Sequence, residues 1–364
     1  MISHLKAFDK RKVVLLKKIT FSLTSLFLLL CIISGCASDT SKNQATDPTT
    51  FLETTTSGDI EPIEVRVGAL KGPTAMGMVS FMKEVDSGNV LSNDYHFSIS
   101  AAIDEVTPKL IKGELDIASI PANLSSILYN TTKGELQVLA INTLGVLYIV
   151  ESGDSVHTMQ DLRGKTIYAS GKGATPEFAL NFLLTMSGID PARDVTIEWK
   201  TEHSECVAAL AARENAIAML PQPFVTTAQA QNESIRIALD LTEEWNTKMA
   251  LSDTIAPSTL ITGVVVVRRD FAEKNPEAVS DFLTRYKASV DFVNSDIKAA
   301  AALIEEYGII PSAVAEKALP YCNITFIEGA EMKNLLPGYL TTLFDQNPQA
   351  IGGALPEDDF YYER

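Results

Sequence analysis

The chain has 364 residues, with 46 acidic against 30 basic, a formal charge of −16 and four cysteines. Such a balance argues against nucleic acid as a partner, because phosphate backbones select Lys- and Arg-rich surfaces. It does not restrict small ligands in the same way, since one local cationic loop can bind an anion on an acidic protein.

The first 35 residues read as an address and not as part of the fold. Lys6, Lys10, Arg11, Lys12, Lys17 and Lys18 form a basic region, followed by an apolar run from Ile19 to Ile33. A plain transmembrane anchor is the alternative, but this run falls short of the roughly 20 residues that a spanning helix needs. Ile33-Ser34-Gly35-Cys36 resembles the lipobox of bacterial lipoproteins. The resemblance implies cleavage before Cys36, a lipid on Cys36, and a place at the cell membrane on its extracytoplasmic face. Residues 36–62 are rich in Ser, Thr, Asp and Asn and read as a flexible tether. Without the first 35 residues, 24 basic and 45 acidic residues leave a formal charge of −21. About 300 residues remain for folding, enough for two lobes with real cores.

Ile63, Val65, Val67 and Ala69 alternate with polar residues and predict a strand with one buried face. Met78, Phe81, Met82 and Val85 recur at helical spacing, so 74–86 is expected to be a helix. A strand near Tyr95 to Ala101, a helix near Asp104 to Lys112, a short buried strand at Leu115 to Ala118 and a helix from Pro121 follow. A second unit repeats the order, with strands at Lys165 to Ala169, Val195 to Trp199 and Ala216 to Leu220, and helices at Thr175 to Met186 and Glu205 to Ala212. Thr175 suits an N-cap, Pro176 a first helical position and Gly188 a stop. Alternating strands and helices predict α/β lobes built on mostly parallel sheets covered by helices.

Two echoes mark the repeat. Lys71-Gly72-Pro73-Thr74-Ala75 is answered by Lys172-Gly173-Ala174-Thr175-Pro176 after 101 residues, and Asp116-Ile117-Ala118-Ser119-Ile120-Pro121 by Ala216-Ile217-Ala218-Met219-Leu220-Pro221 after 100. Each string sits at a strand-to-helix turn, where free backbone N–H groups favour polar or anionic ligands. Glycine-led runs at Gly145–Val150 and Gly263–Val267 bracket the second unit and are expected to be two strands crossing between lobes. One lobe then comprises 63–147 and 264–364, and the other 148–263. In the helical C-terminal part, Phe282, Tyr286, Val290 and Val293 trace one face, and Ala299, Leu303 and Tyr307 another. Cys206 and Cys322 are free either to pair or to be buried separately.

The lipobox and tether, Val67-Gly68-Ala69-Leu70-Lys71-Gly72-Pro73-Thr74, Gly113-Glu114-Leu115-Asp116-Ile117-Ala118 and Asp161-Leu162-Arg163-Gly164-Lys165-Thr166-Ile167 together resemble extracellular substrate-binding proteins of ABC importers. The nitrate, sulfonate and taurine type and the thiamine-precursor type are the most similar, although the cysteine-rich string of the latter is missing. The resemblance implies a two-lobed type II periplasmic-binding-protein fold, joined by two crossing strands, that closes on a small ligand. It further implies a monomer that docks on a permease with its ATPase. The ligand contacts it implies are Gly72, Pro73, Thr74, Ala75, Ser119, Ile120, Pro121 and Asn123 on one lobe, with Thr143 and Leu144 ahead of the first crossing strand. On the other lobe they are Gly173, Ala174, Thr175, Pro221 and Gln222. Thr74 and Thr175 can serve as caps, as ligand contacts or as both, and Lys71 and Lys172 as anion partners or solvated surface residues.

An enzyme needs a reactive constellation, and none stands out. His4, His96, His157 and His203 are scattered, with no pair at metal-ligand spacing. Gly164-Lys165-Thr166 resembles the end of a phosphate loop, but Met159 occupies the place of its first glycine. The expectation is therefore a non-catalytic, cofactor-free and metal-free binding protein for a small organic anion. Its alternatives are an enzyme of the same two-lobed fold, of the menaquinone-pathway kind, and a ligand-sensing lipoprotein.

Overall fold

The computed structural model describes residues 62–89, 91–251 and 258–364. The expected signal segment, the lipidation site Cys36 and the tether up to residue 61 lie outside them. Among the described residues there are eleven strands: β1 (Ile63–Leu70), β2 (Asn93–Ser100), β3 (Ile117–Pro121), β4 (Leu136–Leu144), β5 (Leu147–Glu151), β6 (Thr166–Ser170), β7 (Thr196–Lys200), β8 (Ile217–Pro221), β9 (Arg236–Asp240), β10 (Ile261–Arg268) and β11 (Ile324–Ile327). The helices are α1 (Pro73–Met76), α2 (Val79–Asp86), α3 (Ile103–Lys112), α4 (Ala122–Thr132), α5 (Thr175–Met186), α6 (His203–Ala212), α7 (Phe224–Gln231), α8 (Leu241–Ala250), α9 (Arg269–Lys274), α10 (Pro276–Ser295), α11 (Ile297–Glu306), α12 (Ser312–Ala318) and α13 (Gly329–Gln346).

The strands divide between two sheets, in the orders β11-β4-β10-β3-β1-β2 and β7-β6-β8-β5-β9. A shift of 100 residues carries the central pairings of one onto the other. Val67 lies opposite Phe97 and Ile117, and Ile167 opposite Ile197 and Ile217. Helices α3 and α6 start at Ile103 and His203, the same shift again. The echo in the sequence is thus a structural repeat, with β1, β2 and β3 matched by β6, β7 and β8.

Both sheets are mixed. In the first, β10 runs antiparallel to β3 and β4; in the second, β5 runs antiparallel to β8 and β9. These reversed strands are the ones that begin where the chain has just arrived from the other sheet. Gly145 and Val146 alone separate β4 from β5, so the outward passage is not a crossing strand over Gly145–Val150. It is a two-residue step, after which β5 belongs wholly to the second sheet. The return runs between α8 and β10, and β10 belongs to the first sheet.

The motifs that are easiest to recognise are structural. Asp116 accepts from the Arg66 backbone N–H at 2.9 Å, from Nε at 2.8 Å and from Nη2 at 2.6 Å, tying β1 to the start of β3. Asp161 accepts from the His157 and Thr158 N–H groups at 3.0 and 2.8 Å, which holds its carboxyl below the ordinary range. Arg163 reaches Gly188 O at 2.7 Å and Asp194 at 2.5 Å, and Gly164 turns with φ 75°, where glycine is favoured.

Several expectations need correction. The helix over 74–86 is broken into α1 and α2 at Gly77 and Met78; an added Cβ at Gly77 would meet Ile324 at 3.1 Å and the Tyr286 hydroxyl at 3.4 Å, so close packing holds the break. Ala174, not Thr175, is the N-cap of α5, and Thr175 is its first residue. The α10 face Phe282, Tyr286, Val290 and Val293 is buried; α11 buries Ala300, Ala301 and Ile304 most deeply, with Leu303 and the following Tyr307 half-buried against the same core. Cys206 and Cys322 are separate buried thiols. No helix among the described residues is long and apolar enough to cross a membrane.

Candidate functional site

Parallel α/β sheets present ligand sites outside the carboxyl ends of their strands, where helices begin. Here the two sheets turn those ends toward each other around a cavity of about 150 Å³. Six helices contribute a first residue or cap to its wall: Pro73 of α1, Ile103 of α3, Pro121 before α4, Ala174 before α5, His203 of α6 and Phe224 of α7. The ends of α3–α7 offer backbone N–H groups that have no partner within the helix, whereas α1 is a four-residue turn that begins with Pro73 and has its Ala75 and Met76 N–H groups bonded to Gly72 O. A larger groove of about 530 Å³ under Tyr361 lies elsewhere, by Gln137 at the opposite end of β4, and is bordered by Glu273, Asp358, Asp359 and Glu363.

The cavity wall is mainly apolar, with Leu70, Ile103, Val146, Leu147, Phe224 and several prolines and alanines. Its charged lining residues are Lys71 from the first sheet's side and Glu202 from the second. Hydroxyls come from Thr74, Thr143, Ser170, Thr201 and Thr262. A side pocket of about 140 Å³ adjoins, bounded by Lys71, Ala101, Glu202, His203, Ser204 and Phe224.

Gly263 sets how closely the first wall packs. A Cβ there would lie 2.6 Å from Asn142 Oδ1, 3.1 Å from Thr74 Cγ2 and 3.3 Å from Thr143 Cβ. Its missing side chain lets α1 settle onto β10 and β4. On the second wall, Ser170 Oγ and His203 Nδ1 share a hydrogen bond at 2.5 Å, and the imidazole lies 4.9 Å from the Phe224 ring. Burial lowers His203 to about 4, so the ring is neutral at neutral pH. Cys206, buried on α6, is pushed up by the same effect to about 11, as expected of an inert thiol.

Of the residues expected to meet a ligand, Gly72, Pro73, Thr74, Pro121, Thr143, Ala174 and Pro221 line the cavity. The other eight lie off its wall. Ala75 and Ile120 are core, and Ser119 accepts from Asn142 Nδ2 at 3.1 Å. Leu144 donates its N–H to Asn323 O at 3.2 Å, and Gln222 Oε1 caps Thr226 at 2.9 Å. Asn123 donates to Ala350 O at 3.0 Å and to Gly173 O at 3.3 Å, and accepts from Thr175 Oγ1 at 3.3 Å. Thr175 in turn receives the Tyr339 hydroxyl at 3.1 Å. Asn123, Gly173 and Thr175 therefore join the two halves behind the cavity. Lys172 is exposed and also lies off the wall.

Sequence reasoning missed Ser170, Thr201, Glu202, His203 and Thr262. The repeat held a usable signal for His203, because a shift of 100 residues places it on Ile103, another lining residue. Thr262 carries no comparable local signal.

The family model described as "ABC transporter, phosphonate, periplasmic substrate-binding protein" matches residues 88–316. No curated protein sequence matches the chain. Among solved structures, an ABC transporter protein from Parabacteroides distasonis is similar at 23% identity and a TM-score of 0.66, over 82% of this chain and 99% of that one. The periplasmic aliphatic sulphonate binding protein of Escherichia coli is similar at 18% identity and a TM-score of 0.63, over 82% and 96%. The periplasmic nitrate-binding protein of Synechocystis PCC 6803 follows at 13% identity and 0.55, over 75% of each chain.

The depressed His203 gives a pH dependence of stability. Between its folded value of about 4 and its ordinary 6.5, the unfolded chain binds a proton that the native protein excludes. Stability from this group is complete above about 6.5 and declines as the pH falls, by at most about 1.4 kcal/mol per unit. Urea unfolding midpoints at pH 7 and 5 are expected to show a smaller acid loss in His203→Gln than in the wild type. Equal losses would remove His203 as the cause.

Proposed function

Because this chain belongs to the phosphonate-type family of periplasmic substrate-binding proteins of ABC transporters, we propose that it captures a small organic molecule with one anionic head group and a short apolar body. Sulfonates, phosphonates and carboxylates have that form. The observation that carries the reading is the composition of the cavity, in which the starts of α3–α7 and Lys71 favour an anion on the side away from Glu202, while most of the wall is apolar. A bare nitrate ion would leave that apolar wall unused.

Capture proceeds by closure of two lobes, one built on β1–β4 with β10 and β11 and the other on β5–β9, each supplying part of the wall; the expected boundaries at 147 and 263 move accordingly, because Leu147 opens β5 and Ile261–Gly263 belong to β10. The closed form has the higher affinity and delivers the ligand to a membrane permease driven by its ATPase. A lipid on Cys36 holds the protein at the extracytoplasmic face of the cell membrane. No chemistry is assigned to Ser170 and His203: Ser170 is buried, and the neighbouring Glu202 carboxylate accepts from Ser204 at 3.0 Å.

A thermal-shift panel tests the ligand class. At about 100 times its dissociation constant a ligand stabilises by roughly 2.7 kcal/mol, so a short alkyl sulfonate, phosphonate or carboxylate is expected to raise the melting temperature clearly. Shifts with neutral sugars or cations and none with these anions would refute the reading. The anchor is tested separately by metabolic labelling with a fatty-acid analogue, which is expected to label the wild type and not Cys36→Ala; an unlabelled wild type, or equal label in the variant, contradicts a lipid on Cys36.

A further inference from the structure

We propose that Thr262 determines specificity by recognising a second polar group on the ligand, a hydroxyl that donates hydrogen bonds. This deepens the proposed function and rests on its reading of the cleft. Strand β10 pairs with β4 so that Ile261 faces Leu144 and Gly263 faces Thr143, with a register shift between the two pairs. Thr262 is thus the extra residue of a bulge, the device by which a strand re-aims one side chain. It lines the cavity. Its Oγ1 is buried and has no hydrogen-bond partner among the described residues. A buried hydroxyl without a partner weakens the unliganded protein, and a ligand group that pairs with it recovers the loss.

The neighbouring hydroxyls decide which kind of group fits. Thr74 and Thr143 pack around the missing side chain of Gly263, beside Thr262, and both line the cavity. Thr74 Oγ1 donates its proton to Leu70 O at 2.8 Å, and Thr143 Oγ1 donates to Asn142 Oδ1 at 3.2 Å. A hydroxyl has one proton and two lone pairs, so both threonines retain only acceptor capacity. Thr262 alone of the three keeps its proton free. This wall therefore suits a donor that can also accept one bond, such as an alcohol. An oxyanion would find a single donor here, and its better place is by Lys71 and the helix starts.

Titration calorimetry of the wild type, Thr262→Val and Thr262→Ser with two matched pairs decides the matter. The pairs are 2-hydroxyethanesulfonate with propane-1-sulfonate, and 2-hydroxyethylphosphonate with propylphosphonate; each replaces a hydroxyl by a methyl of similar size. The wild type is expected to prefer the hydroxylated member of a pair by about tenfold. Thr262→Val erases that preference, Thr262→Ser keeps it, and unliganded Thr262→Val melts no lower than the wild type. A preference that is absent from the wild type, or that survives in Thr262→Val, overturns the assignment alone. So does a fall of about 2 °C or more in the melting temperature of unliganded Thr262→Val, which would show the hydroxyl serving the fold. Binding of neither pair by the wild type overturns this assignment, and if short carboxylates also fail to raise the melting temperature the organic-anion reading falls with it.

Discussion

The cleft depends on where the backbone passes between sheets. Gly145 and Val146 make the outward passage at the carboxyl end of β4, and Val146 itself lines the cavity. The step is tightly held, with Asn323 Nδ2 donating to Gly145 O at 2.5 Å and the Asn323 carbonyl accepting from Leu144. A side chain at position 145 would collide with Thr242 at the start of α8. Because the chain enters the second sheet at the cleft, β5 must run away from it. The parallel strands β6 and β8, antiparallel to β5 or aligned with its neighbour, then end there. Strand β10 plays the same part in the first sheet. Six helices consequently begin around one cavity, and the preference proposed for a polar head group rests on this direction of travel.

The halves are also joined away from that passage. Asn123 of α4 bonds Gly173 and Thr175 across the gap, and Tyr339 of α13 reaches Thr175 while its ring lies 5.9 Å from that of Trp245 on α8. A single apolar core runs through α4, α5, α8 and α13. In the proposed closure, the lobes would pivot near this shared core and open at the opposite side, where Lys71 and Glu202 stand at the side pocket. The geometry favours hinge motion over free separation of the two sheets.

Much of the architecture was legible because its cause is local. Alternation over Ile63–Ala69 and the helix at Thr175–Met186 follow from pattern and propensity, and the 100-residue echo preserves the strand register itself. The family was legible for a different reason, since Asp116 and Asp161 hold the fold and stand off the cavity wall. The ligand wall was harder. Asn123 and Thr175 have the chemistry of ligand contacts, yet a distant helix supplies Tyr339 and turns Thr175 into a brace. Thr262 acquires its significance from a bulge against β4, and His203 from the end of Ser170's strand. Such pairings join residues far apart in sequence, and no local periodicity records them.

Small-angle X-ray scattering of the mature protein, with and without a sulfonate or phosphonate shown to bind, tests the central claim of a two-lobed clamp most directly. The account predicts a larger radius of gyration without ligand and a contraction on saturation. Identical profiles in the two states, with the ligand bound, would contradict closure as the basis of capture.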